Sequence, residues 1–271
     1  MRSDFDLIVH YLPAFPEVKV YPIADLHVGA IESNVRGWEN FCQRILDEEN
    51  SYLLILGDMM NNAIKSSVSN IYEEVLRPRE QKRYLVNALK PLRSRILACV
   101  SGNHEQRSNK EVDDDPLYDV FAKLDLEDLF RPNAAFVKLA IGTRSNGNGT
   151  EKAINTYTIA LLHGAGGGLY TGTAVTRNER FATSVLEGID ILAVGHTHKG
   201  AVSKPSKIVI DRNNNSIIQR SMTVVSCCSW MSYGGYAMRK MLLPSQAQDP
   251  DQPQTLLLGG KRDKAYVKIM W

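Results

Sequence analysis

Residues 96–105 read ILACVSGNHE, and the rest of the chain is best read outward from this stretch. Ile96–Val100 is an unbroken apolar run, the pattern of a strand covered on both faces rather than one alternating between core and water. Within two residues it gives way to Gly102, Asn103, His104 and Glu105. The glycine permits a tight turn, and the amide, imidazole and carboxyl groups that follow are ligand and acid–base chemistry. A buried strand ending in such groups places them at the carboxyl edge of a sheet, where open α/β proteins bind their ligands.

Four more apolar runs end the same way. Val18–Ile23 leads into Asp25 and His27, and Tyr52–Leu56 leads into Gly57 and Asp58. Thr158–Leu162 leads into His163 and Gly164, and Ile189–Val194 into Gly195, His196 and His198. Five of the six histidines lie in these clusters, which leaves His10 as an ordinary strand residue. Asp25, Asp58, Asn103 and the imidazoles of His27, His163, His196 and His198 are too many ligands for one tetrahedral site. They suit two ions that share a bridging carboxylate, a pair able to clamp a phosphate and activate water. The mixed nitrogen and oxygen set fits manganese, iron, zinc or nickel, with manganese expected to support activity.

The ordered set D-x-H, G-D, G-N-H-E, H-G and G-H-x-H, matched across residues 25–198, resembles the signature of calcineurin-like metallophosphoesterases. That resemblance implies a four-layer αββα sandwich, two mixed β-sheets flanked by helices, with the metal site at the carboxyl ends of strands. It implies Asp25, His27 and His198 on one divalent ion, Asn103, His163 and His196 on the other, and Asp58 bridging both. His104 matches the family's non-ligand histidine beside the leaving-group oxygen, and Asp58 and His104 are the expected catalytic residues. The implied reaction is in-line attack on phosphorus by a metal-bridging hydroxide, without a covalent intermediate.

Departures from the family's branches narrow the substrate. Protein phosphatases of this type carry GDxxDRG, whereas Asn61 and Asn62 stand here for the Asp and Arg, and Ser101 replaces the Arg before G-N-H-E. The missing acid at position 61 leaves the orienting partner of His104 open. Arg77–Arg95 holds seven basic residues against the single acid Glu80, a phosphate-holding face or a solvated helix. Arg107 is positioned in sequence to reach a substrate phosphate or to form a structural ion pair. The expectation is an enzyme, a phosphodiesterase on DNA, other nucleic acid or nucleotides, resembling the nuclease branch. A phosphomonoesterase or protein phosphatase is the alternative, and a metal-poor protein-binding scaffold the non-enzymatic one.

The composition is compatible with this reading. Lys+Arg of 32 against Asp+Glu of 30 gives no global polycation, although a local basic patch suffices to hold phosphates. Cys42, Cys99, Cys227 and Cys228 lack metal-ligand spacing and read as buried thiols of a reducing compartment. With no signal peptide and no run of about 20 apolar residues, the expectation is a soluble, cytoplasmic protein with no membrane partner. A homodimer is left open, and residues 1–271 are expected to form a single domain.

Helical spacing predicts one helix through Val35, Trp38, Phe41, Cys42 and Ile45 after Ser33–Asn34. A second begins at Ile71 and Val75, is interrupted at Pro78, and continues through Leu85, Ala88, Leu89 and Leu92. A third opens at Asp115–Pro116. Lys207–Asp211, Met222–Ser226 and Ala265–Trp271 read as further, antiparallel strands, with a hairpin loop over Arg144–Thr150 and a polar loop over Gln246–Gln254.

Overall fold

The computed structural model describes residues 3–67, 70–145, 151–166, 170–211, 213–261 and 265–270. Strands and helices alternate at first: β1 (Ile8–Leu12), β2 (Glu17–Ile23), α1 (Val35–Asp47), β3 (Ser51–Ile55), α2 (Pro78–Leu89), β4 (Ile96–Val100), α3 (Asn103–Val112), α4 (Pro116–Lys123) and β5 (Phe130–Arg131). A long antiparallel pair follows, β6 (Ala134–Ser145) with β7 (Glu151–Leu162), then α5 (Thr171–Val185) and β8 (Ile191–Val194). The chain finishes with β9 (Ala201–Ser203), β10 (Ser206–Asp211), β11 (Ser216–Ser221), β12 (Thr223–Ser226), α6 (Gly235–Arg239), β13 (Thr255–Gly259) and β14 (Val267–Met270).

The strands form two mixed six-stranded sheets, ordered β14-β13-β2-β3-β4-β5 and β1-β6-β7-β8-β12-β9, while β10 and β11 make a separate ribbon. Side-chain alternation explains why the apolar runs are continuous. Val18, Val20, Leu54 and Val100 of the first sheet pack against Val137, Leu139, Ile159 and Leu161 of the second. The opposite face of the first sheet, through Tyr21, Ile23, Leu53 and Ile55, meets α1, α2 and α4 at Trp38, Phe41, Leu85 and Phe121. Ala160, Leu192, Val194 and Val224 on the outer face of the second sheet meet Ala182 of α5 and Leu186 just beyond it. The central strands β2, β3, β4, β7 and β8 therefore have apolar neighbours on both sides, and the layers stack as helix, sheet, sheet, helix, as the resemblance implied. Each large side chain so buried contributes about 1.5–3 kcal/mol, and truncating one such as Leu54 to alanine costs about 2–5 kcal/mol.

Local signals account for the helix starts. Asn34 Oδ1 accepts from Gly37 N at 2.9 Å to cap α1, whose Trp38, Phe41, Cys42 and Ile45 face inward. Asp115 caps α4 through Tyr118 N at 3.2 Å, with Pro116 in the first turn. The helix expected from Ile71 does not form. Residues 70–77 are turns and bends, α2 starts at Pro78, and Ile71, Tyr72 and Val75 are exposed. Proline suits the first helical turn because its missing N–H needs no partner there, and of the apolar residues before it only Leu76 packs against the core.

The expectation for strand direction is corrected at one place. β10 and β14 pair antiparallel, but β12 runs parallel to β8 and antiparallel only to β9, because its chain crosses over from the ribbon. Ser145 pairs with Glu151, as a hairpin requires, although residues 146–150 lie outside the described residues, as does Trp271. All four cysteines are buried free thiols. No helix among the described residues is long and apolar enough to cross a membrane.

Candidate metal centre

The parallel strands β2, β3 and β4 of one sheet and β7 and β8 of the other end at a common rim. Asp25 and His27 follow β2, Asp58 follows β3, Asn103 begins α3 after β4, His163 follows β7, and His196 and His198 follow β8. Among the described residues, Asp25, His27 and His198 form one tight group, and Asp58, His163 and His196 another. A third joins His27 and Asp58 to His104. Asn103 Oδ1 sits 2.7 Å from His196 Nδ1 and 3.0 Å from His163 Nε2. All seven residues expected as ligands are thus brought together from five separate loops.

The backbone here is held in an uncommon conformation. Asp25, His27, Asp58, His196 and His198 all have positive φ, between 49° and 68°. Left-handed backbone at non-glycine residues is strained, and a concentration of it at one rim marks a functional constraint. Close approach of the loops adds another. A Cβ on Gly57, whose φ is 83°, would lie 2.3 Å from Gly102 N, and one on Gly102 would lie 2.1 Å from Asp58 Oδ1.

Hydrogen bonds fix the side chains. Asp58 Oδ1 accepts from His104 N at 2.8 Å, and Oδ2 lies 3.3 Å from His163 Nε2. His163 Nδ1 donates to the Leu56 carbonyl at 2.7 Å, which turns Nε2 towards the centre. Asp25 Oδ2 accepts from His196 N at 2.9 Å. Its buried Oδ1 has no hydrogen-bond partner and lies 3.3 Å from His198 Nε2 and 3.9 Å from His27 Nε2.

The electrostatics call for cations. Burial would lower the His163 pKa, but the Asp58 carboxylate outweighs it and pushes it up to about 10. Burial likewise opposes protonation of His198, and the charge of Asp25 raises its pKa nonetheless. Asp58 is disfavoured as an anion by burial, yet His104 and His163 hold its carboxyl well below the usual range. Burial, reinforced by other imidazoles, lowers His27 well below the ordinary histidine value and also lowers His196. Two imidazoles facing the buried Asp25 Oδ1, and ring nitrogens 3.3 Å apart in both the His27–His198 and His163–His196 pairs, fit a divalent cation. Uptake would displace the protons that His163 and His198 carry.

His104 is oriented differently from the expectation set by an acid at position 61. Its Nδ1 donates to the backbone carbonyl of Asn61 at 2.8 Å, so the main chain supplies the orienting acceptor. Asn62 acts structurally, its Nδ2 donating to His104 O at 2.8 Å and to Ser108 Oγ at 2.9 Å. Arg107 Nη2 donates to His104 Nε2 at 2.9 Å, and Nη1 reaches Asn61 O and Ser67 Oγ at 3.4 Å each. Burial lowers the His104 pKa and the nearby Arg107 charge contributes, although the Asp58 charge opposes both.

Glu105 carries a role that the motif reading did not assign. Its Oε2 accepts from Asp58 N and Gly102 N, and its Oε1 from Met60 N, each at 2.9 Å. This buried carboxylate therefore clamps the Asp58 loop onto the start of α3. Burial, then the like charge of Asp58, pushes its pKa up to about 7 despite the N–H donors. The signal was present, since glycine before a helix and glutamate three residues later is half of a capping box. None of the basic residues of Arg77–Arg95 lines the cavity at the metal rim. Lys82 pairs with Asp114 and Asp119, Arg93 with Asp125, and Arg95 with the Glu49 carbonyl. Residues 164–168 after His163 read GAGGG; Gly166 lines the cavity, and Gly167 and Gly168 lie outside the described residues.

The family model for calcineurin-like phosphoesterases matches residues 18–200. No curated protein matches the chain. Among solved structures, a metallophosphoesterase from Sphaerobacter thermophilus is 14% identical with a TM-score of 0.38, the alignment covering 89% of this chain and 83% of that one. GAP50, the anchor in the inner membrane complex of Plasmodium, is 10% identical with a TM-score of 0.36, covering 94% and 89%.

Proposed function

The chain belongs to the calcineurin-like phosphoesterase family, and from that premise we propose that it is a phosphodiesterase acting on nucleotides or nucleic acid. Membership makes it a metal-dependent phosphoester hydrolase. The observation that favours a diester is the shape of the site. A cavity of about 610 Å³ runs past the metal rim on both flanks, towards Asn61 and Glu74 beside His104 and towards Lys199 and Leu243 beside His198. A monoester has one organic group to place, whereas a diester has two.

In this reading Asp25, His27 and His198 would hold one ion, Asn103, His163 and His196 the other, and Asp58 would contribute to both. When bound, such a pair supplies Lewis-acid charge to the phosphoryl oxygens and lowers the pKa of water. The chain's own residues do the rest. Leu56 O and the Asn61 carbonyl fix the rings of His163 and His104, and Glu105 holds the Asp58 loop. His104 lines the cavity and would serve the departing oxygen, with Arg107 hydrogen-bonded to its Nε2 beside it. With Nδ1 donating to the Asn61 carbonyl, Nε2 of His104 is an acceptor, here for Arg107, and must take up a proton before it can deliver one to the departing oxygen.

The experiment is hydrolysis of a nitrophenyl phosphodiester beside its monoester, using metal-stripped protein reloaded with manganese and an Asp58→Asn control. Dominant diester turnover that vanishes in the control supports the reading. Dominant monoester turnover makes the protein a phosphatase, and silence on both with two bound ions refutes a general diesterase.

A further inference from the structure

We infer that the ester group remaining on phosphorus is a single uncharged, apolar group of about ring size, so that small diesters rather than phosphates inside a polynucleotide are the substrates. This rests on the phosphodiesterase reading and narrows it by setting nucleic acid aside in favour of small diesters.

Beyond His198 the cavity wall is built from Met231, Leu242 and Leu243, continued by Ile31. These are large apolar side chains left uncovered by protein, with Leu242 39%, Leu243 46% and Ile31 64% exposed. The wall is anchored to the metal rim. Gln246 N donates to His198 O at 2.8 Å, and Lys199 Nζ donates to the carbonyls of Leu243 and Pro244 at 3.3 and 2.5 Å. Leu242 N donates to Ala237 O at 2.9 Å, and its carbonyl accepts from Tyr233 Oη at 2.9 Å. Apolar surface held in place beside a phosphate site gains by covering an apolar ligand group.

Charge sets the limit on that group. Glu32, Glu73 and Glu74 line the same cavity. Among the described residues its lysine and arginine side chains are engaged, Arg239 with Glu73 at 3.3 Å and Lys199 with the two carbonyls. A second phosphate reaching past the rim would meet carboxylates and a desolvating wall, whereas nucleic-acid tracks present basic groups along the backbone. A cavity of about 610 Å³ is of small-molecule size.

The test compares bis(4-nitrophenyl) phosphate with methyl 4-nitrophenyl phosphate, which share a leaving group and differ in the group left on phosphorus. In the manganese-loaded protein, Leu242→Ser/Leu243→Ser lowers the ratio of kcat/KM for the aryl over the methyl diester by about tenfold, mainly through KM. If that variant loses bound metal, Ile31→Ser on the same wall is read by the same ratio. A ratio unchanged within about twofold, with both esters still hydrolysed, overturns the inference. So does a single-stranded oligonucleotide that competes effectively with the aryl diester. A parent protein that cleaves monoester and neither diester removes the phosphodiesterase reading itself, and the inference with it.

Discussion

Asp58→Asn perturbs the carboxylate on which the centre depends most. Its Oδ2 lies 3.3 Å from His163 Nε2 and 3.8 Å from both His27 Nε2 and His104 Nε2. At an effective dielectric of about 20, unit charges 3.3 Å apart attract by about 5 kcal/mol. The rise of the His163 pKa from 6.5 to about 10 is the net of burial, which opposes it, this attraction, and smaller contributions from Asp25 and the Leu56 carbonyl. Asparagine preserves the shape and removes the charge. In metal-free protein, burial then acts on His163 without its strongest counterweight, and the ring titrates far below pH 10. Because the folded pKa is raised, this pair stabilises the metal-free fold fully below pH 6.5 and loses its effect as pH climbs towards 10. The stabilising effect of the pair in wild type over the variant should therefore be largest near pH 6, up to about 5 kcal/mol, and shrink as pH climbs towards 10. Proton NMR of the histidine rings, denaturant unfolding across that range and metal counting read the three consequences. Identical His163 titration in both proteins, or two ions held by the variant at unchanged affinity, would refute the reasoning.

Other perturbations separate chemistry from architecture. His104→Ala should keep both metals and lose about 10²–10⁴-fold in kcat, most on a poorly activated alkyl ester, and full turnover of that ester would remove its role. Glu105→Ala leaves the N–H groups of Asp58, Met60 and Gly102 without their acceptor, at about 1–3 kcal/mol each with incomplete additivity. Thermal unfolding should show that loss together with weakened metal binding. Gly57→Ala combines a left-handed φ of 83° with a backbone clash, so stability should fall by about 2–4 kcal/mol in a denaturant titration. An unchanged midpoint would mean that the Gly57 and Gly102 loops are not in close contact.

Much of the site was legible because its signals are local. An apolar run followed within a few residues by a ligand cluster is written contiguously, and Val18–Ile23, Tyr52–Leu56 and Ile96–Val100 coincide with β2, β3 and β4 within one residue. What failed was also local reading. Ile71 and Val75 have helical spacing, but nothing packs over them, so they form part of an exposed turn segment beside the cavity. The basic run Arg77–Arg95 looked like a phosphate-holding face, whereas its residues lie away from the metal rim and several meet acids or carbonyls.

The sequence by itself determined the layered α/β class, the family and the set of residues from Asp25 to His198 that meet at the rim, because strand burial and turn chemistry act over a few residues. Only the tertiary structure decided that Asn61 orients His104 through its carbonyl, that Arg107 bonds His104, and that Glu105 clamps the Asp58 loop. It alone placed the apolar wall of Leu242 and Leu243 beside His198. These contacts join residues far apart in the chain or depend on backbone direction, and no local pattern specifies which distant group a carbonyl or carboxylate will face once the two sheets are packed.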